Sequence, residues 1–364
     1  MYKISIKYPE SLPGIHVWID TPSQNKLFCE KSNITFSGWA VNKSAPFKEC
    51  FLVSDGGEKF PVPFIMERLG VKERYPNFYH ADKPGFSFAI EFSYLLNATL
   101  ILKLDSGESL NIDIRAQEIN PFDKLVFIHI PKTAGSSFNE FINQFVSAES
   151  LINHLESKKD FHDPNYLATF GFVSGHLPIQ RFSNLIDFDT AYSFTILRNP
   201  INHVISHINW VRRLSDPGEE QRLLNHPEYI QKLSAKLAST ALSDATELAN
   251  LIQNFEVAEY GLFDNTQTRY LCGKKGLLSN SDVNKALSNL SSLNRFGFVE
   301  DLNTLCNNIQ GDLNYIPSIP LQKINESKVS YGLSSSDKYL LKVLSPLIEF
   351  DQQLYDQAQV FVKS

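Results

Sequence analysis

A lysine, three hydroxyls and a glycine stand together at Lys132, Thr133, Gly135, Ser136 and Ser137. Lysine brings a full positive charge and the hydroxyls bring donors. The small residues Ala134 and Gly135 let backbone N–H groups approach a ligand closely. Before this loop lies an apolar stretch from Leu125 to Ile130. After it come Phe138, Phe141, Ile142, Phe145 and Val146, on the i, i+3, i+4, i+7, i+8 spacing of one helix face. The pattern predicts a buried strand, a tight loop and an amphipathic helix. Such a junction aims N–H groups and the positive helix end at one point, which favours a phosphate. It is not the loop of a Walker-type ATP or GTP enzyme. That loop needs its lysine after the last glycine, whereas Lys132 precedes Gly135.

A second strand-and-helix junction is predicted between Ala191 and Trp210. Tyr192 to Leu197 reads as another apolar strand with Arg198 at its end. Asn199 suits a helix N-cap and Pro200 the first helical position. Ile201, Val204, Ile205, Ile208 and Val211 form the buried stripe of that helix, with Ser206 nearer its polar side. Between the two junctions, the segment Phe170 to Pro178 places His176 after a short apolar strand and Gly175. An imidazole there can exchange a proton near neutral pH. His203 and His207 read as helix-face residues, and His154, His162 and His226 as loop residues with no role.

Three motifs carry a family resemblance. Ile130 to Phe138, I-P-K-T-A-G-S-S-F, resembles the 5′-phosphosulfate loop of sulfotransferases that use 3′-phosphoadenosine 5′-phosphosulfate (PAPS), in the glycan-modifying branch. Leu197 to Ser206 resembles that family's 3′-phosphate site, with His203 where the family often has arginine. Gly175-His176-Leu177 is similar to a G-H-[VLF] segment of the uronosyl 2-O-sulfotransferases. The resemblance implies sulfuryl transfer from PAPS, as co-substrate, to a sugar hydroxyl of a polysaccharide or glycolipid. Lys132, Thr133, Ala134, Gly135, Ser136, Ser137 and Phe138 would hold the 5′ side. Lys132 would also steady the leaving oxygen, Arg198 and Ser206 would hold the 3′-phosphate, and His176 would be the catalytic base. No metal is required by this scheme, and the His and Cys spacings match no zinc pattern. Asn265 to Gly273 and Lys323 to Lys328 resemble further family segments: a helix end in which Arg269 either packs or faces an anion, and a loop closing over the nucleotide.

These groups need a rigid frame. Strands alternating with helices over 121–364 predict an α/β domain, a central parallel sheet flanked by helices; the resemblance adds a core similar to nucleotide kinases. Residues 1–120 read instead as short alternating strands. One is a hairpin in which Leu100, Leu102 and Leu104 face Leu110, Ile112 and Ile114 across Asp105 to Glu108. That predicts an antiparallel β-sandwich, similar through Ser37 to Val41 to immunoglobulin-like modules of bacterial sugar-modifying enzymes. Residues 215–227 read as an exposed insertion beside the acceptor, and Ser234 to Asn254 as helical. The net charge of −6 argues against a general nucleic-acid binder. There is no apolar run of membrane-spanning length and no signal peptide, so a cytoplasmic, bacterial-type enzyme is expected. The four scattered cysteines read as reduced thiols, a Cys29–Cys50 pair being the one alternative. A nucleotide-dependent kinase or NTPase on a related fold, and a non-catalytic glycan-binding protein, are the other readings of the chain.

Overall fold

The computed structural model describes residues 1–9, 14–315 and 330–363. Its first half is built of nine strands: β1 (Tyr2–Lys7), β2 (Ile15–Thr21), β3 (Leu27–Phe28), β4 (Asn33–Asn42), β5 (Phe47–Ser54), β6 (Lys59–Pro61), β7 (Gly85–Glu91), β8 (Asn97–Leu104) and β9 (Ser109–Glu118). They make two antiparallel sheets, β3-β1-β9-β8-β5-β6 and β2-β4-β7. Strict alternation sets which side chains face inward. In the β8–β9 hairpin Leu100 lies opposite Ile112 and Leu102 opposite Leu110, and all four are buried. Phe28, Phe36 and Phe86 from both sheets, with Phe92 just after β7, fill the shared core. The expected hairpin and two-sheet packing are therefore present.

The second half holds five parallel strands: β10 (Lys124–Ile128), β11 (Leu151–Ile152), β12 (Phe172–Gly175), β13 (Ala191–Leu197) and β14 (Arg295–Phe298), in the order β11-β12-β10-β13-β14. Helices cover both faces, so β10 is apolar on both sides: Leu125 to Ile128 have no exposed surface. Leu125 and Phe127 share a core with Phe138, Phe141 and Ile142 of the Gly135–Asn143 helix and with Leu305 and Ile309 of the Leu302–Asp312 helix. Val126 and Ile128 face the opposite core, with Leu271, Leu287 and Leu354 of three other helices. The chain is thus a mixed α/β protein with an antiparallel first part and a parallel second part. No helix among the described residues is long and apolar enough to cross a membrane.

Several details differ from the sequence reading. The Gly135–Asn143 helix stops before Phe145 and Val146, yet both remain buried. There the chain turns to meet the sandwich: Leu27 N–H donates to the Phe145 carbonyl at 2.6 Å, and Lys26 Nζ donates to the carbonyls of Asn143 and Gln144. A lysine at a helix C-terminus complements the helix dipole, so the first part buttresses the helix that follows the loop after β10. The run from Ser234 to Asn254 is two helices, Glu228–Ala238 and Ala245–Gln253, because Asp244 caps the second through the N–H groups of Thr246 and Glu247. Cys29 and Cys50 are not paired. Cys29 belongs to the core under the parallel sheet and Cys50 to the sandwich, and all four cysteines are free thiols.

Candidate functional site

The strand order sets the site. From central β10 the chain first goes to one side, to β11 and β12, and then to the other, to β13 and β14. Ligands of open parallel sheets bind beyond the carboxyl ends of strands at such a reversal. Lys132 follows β10, His176 follows β12 and Arg198 follows β13, so all three loops leave the same edge.

The loop after β10 has an unusual backbone. Lys132 (φ 68°) and Ala134 (φ 62°) are both left-handed although neither is glycine. Four consecutive carbonyls are tied down by side chains. His129 O accepts from His176 Nδ1 at 2.9 Å and Ile130 O from Thr133 Oγ1 at 2.8 Å. Pro131 O accepts from His203 Nε2 at 2.7 Å and Lys132 O from Arg198 Nη1 at 3.0 Å. With its carbonyls held, the loop has N–H groups to offer. Among the described residues none of the N–H groups from Lys132 to Ser136 is bonded to protein. Left-handed residues in such a loop gather N–H groups into an anion-binding concavity. Gly135 is required because the His129 ring lies against it: a Cβ there would come within 1.8 Å of His129 Nε2.

The residues expected on the 5′ side divide by position. Ser136 is exposed at the mouth of the loop, and Ser137 and Thr133 are buried. Thr133 spends its hydroxyl on the Ile130 carbonyl, so its side chain braces the loop. The Phe138 ring lies wholly in the core against Phe127 and Phe194 and can serve the loop only through its backbone. Lys132 lies with Nζ 5.7 Å over the Trp210 ring. Burial, with the nearby charges of Arg198, Arg222 and Arg213, pushes its ammonium down to about 8. Arg222 and Arg213 share Glu219, which places part of the 215–227 insertion beside the loop.

Arg198 is held at both ends of its backbone by Gln267. Its N–H donates to Gln267 Oε1 at 2.8 Å, and Gln267 Nε2 donates to its carbonyl at 2.9 Å. The helix carrying Gln267 is capped by the buried carboxylate of Asp351 through the N–H groups of Gln267 and Thr268. Asn199 and Pro200 start the Pro200–Arg213 helix as expected, with Asn199 Oδ1 accepting from Asn202 N–H. Ser206 is half-buried, one turn beyond His203 on the same helix side, and no hydrogen bond among the described residues joins it to Arg198. His203 and His207 are not surface residues. Both are buried, and burial holds them neutral, His203 at about 4 and His207 well below its ordinary range.

At His176 the bonding decides the tautomer. A carbonyl only accepts, so the bond to His129 O puts the proton on Nδ1 and leaves the Nε2 lone pair free. The His176 backbone N–H donates to Glu156 Oε2 at 2.8 Å. The His129 and His154 rings lie 4.2 Å and 5.3 Å from the His176 ring, centre to centre. Burial lowers the His176 pKa, so the ring is neutral at pH 7. Arg269 is engaged by protein groups at the end of its helix. It bonds to Asp264 and to the carbonyls of Lys274 and Gly276, and Gly273 caps its helix in the left-handed conformation. Lys323 to Lys328 lie outside the described residues. The chain matches no protein-family model and no curated protein.

Proposed function

We propose that this protein transfers a sulfuryl group from PAPS to an alcohol, a sugar hydroxyl of a polysaccharide or glycolipid. The observation that carries the reading is the convergence of three groups at one sheet edge: a carbonyl-tethered loop with open N–H groups, the Lys132–Arg198 cation pair, and a neutral His176 with a free Nε2. The reaction requires in-line displacement at sulfur and relief of charge on the leaving oxygen. The loop N–H groups and Lys132 hold the 5′-phosphate, which leaves as 3′,5′-ADP. Arg198, with Ser206, receives the 3′-phosphate. His176 Nε2 takes the acceptor proton as the acceptor oxygen bonds to sulfur and the sulfur–phosphate oxygen bond breaks. The sulfotransferase-type core within the α/β frame is part of this proposal.

The test is a thermal shift with 3′,5′-ADP, 5′-ADP and ATP with Mg²⁺ on the wild type and Arg198→Ala. A ligand that binds only the folded state raises the melting temperature. The proposal expects a rise selective for 3′,5′-ADP that Arg198→Ala loses. A rise with ATP and Mg²⁺ alone overturns it in favour of a kinase or NTPase.

A further inference from the structure

Beside the phosphate loop stands a second constellation with no part in nucleotide binding. His154, Glu156 and His176 each present one metal-ligating atom, and these atoms lie within 4.8 Å of one another. No sequence spacing announces the group, because His176 joins it from a different strand end. His154 Nδ1 and Glu156 Oε1 are 3.3 Å apart. The two are hydrogen-bonded to each other, and their spacing is also close to the edge of a tetrahedron with ligand bonds of about 2.0–2.1 Å, which is about 3.3 Å, so an ion would take the place of the shared proton. The other contacts have the character of an outer shell. His176 donates Nδ1–H to the His129 carbonyl, as metal-bound histidines commonly do, and this directs Nε2 outward. Glu156 Oε2 is oriented by the His176 backbone N–H, and Oε1 faces His154 Nδ1. His154 is exposed, so its ring is not locked in a packed core. The buried pair His203 and His207 forms no such group among the described residues, their rings being 6.1 Å apart.

We propose that His154, Glu156 and His176 bind one divalent ion of the zinc type, and that the bound ion withdraws His176 from proton transfer. Two imidazoles and one carboxylate suit zinc rather than magnesium or calcium, which favour all-oxygen sets. The ion needs the same Nε2 lone pair that takes the acceptor proton, so metal binding and base catalysis exclude each other. This second half rests on the transferase reading; the site itself does not.

The binding test therefore uses metal alone. Calorimetry with Zn²⁺ and visible absorption with Co²⁺ are run on the wild type, His154→Ala, Glu156→Gln and His162→Ala. One ion per chain is expected, with tetrahedral Co²⁺ bands. Affinity should fall about 10- to 100-fold or more in His154→Ala and Glu156→Gln and stay unchanged in His162→Ala, an exposed histidine outside the group. Equal affinity in the wild type and His154→Ala, or no binding at micromolar zinc, overturns the site. Zinc should then inhibit sulfuryl transfer reversibly with EDTA in the wild type and far less in His154→Ala. Zinc bound with transfer undiminished overturns the competition while leaving the site in place.

Discussion

Replacing Gly135 by alanine sets two effects of opposite sign against each other. Gly135 begins a helix with an ordinary negative φ, and there alanine normally gains about 1 kcal/mol over glycine. The added Cβ, however, would lie 1.8 Å from His129 Nε2 and 2.2 Å from Cδ2 and Cε1. Comfortable contact is about 3.5–4.0 Å, so the ring must retreat by about 1.5–2 Å. It has little room. Phe127 stacks on it at 5.1 Å and His176 closes the other approach at 4.2 Å. Overpacking of this kind costs about 1–3 kcal/mol, which outweighs the propensity gain. We expect Gly135→Ala to be destabilising by about 2 kcal/mol in urea unfolding, with weaker binding of 3′,5′-ADP because the loop and His129 move together. A double-mutant cycle isolates the cause. In a His129→Ala background the same change should be neutral or stabilising, giving a coupling of about 2–3 kcal/mol. An equal cost in both backgrounds would refute the steric account and with it the wedging of His129 against the loop.

The Lys132 ammonium is pushed down to about 8, so its charge is present at pH 7 and lost as pH rises beyond that value. Affinity for 3′,5′-ADP should fall by up to about one log unit per pH unit between about pH 8 and 10. Calorimetry across that range should find Lys132→Arg nearly flat, since a guanidinium stays charged; the same slope in both proteins would exclude Lys132 as its source. Gln267→Ala removes both partners of the Arg198 backbone, which costs about 1–3 kcal/mol of stability and about tenfold in 3′,5′-ADP affinity. Melting temperature and calorimetry on this variant check both losses, and unchanged affinity would show that Arg198 is oriented without it.

Much of the frame was legible because it is local. The apolar run of β10, the small residues after it and the Phe138–Phe141–Ile142 stripe specify strand, loop and helix within a few residues. The same holds for the β8–β9 hairpin and for Asn199 and Pro200 at their helix start. The members that secure the site come from far along the chain. His203 reaches Pro131 across 72 residues, and Gln267 reaches Arg198 across 69. Nothing local distinguishes a helix-face histidine from one that holds a loop carbonyl. His129 was hidden in a strand pattern, and its importance follows only from its contacts with Gly135 and His176. Thr133 and Phe138 show the converse limit. Their place in a segment that resembles a cofactor loop does not bring their side chains to the loop's open face: Thr133 bonds the Ile130 carbonyl and Phe138 lies in the core.

The tethering of the loop by imidazoles also makes the site its own spectroscopic reporter. Of nine histidines, His129, His154, His176, His203 and His207 surround this one region. His176 carries its proton on Nδ1 and His203 on Nε2, opposite tautomers imposed by two neighbouring carbonyl acceptors. Nitrogen NMR of the ring atoms separates these forms without any attached label. Occupancy of the loop, protonation of His176 and capture of a metal would each leave a different trace on resonances the protein already possesses.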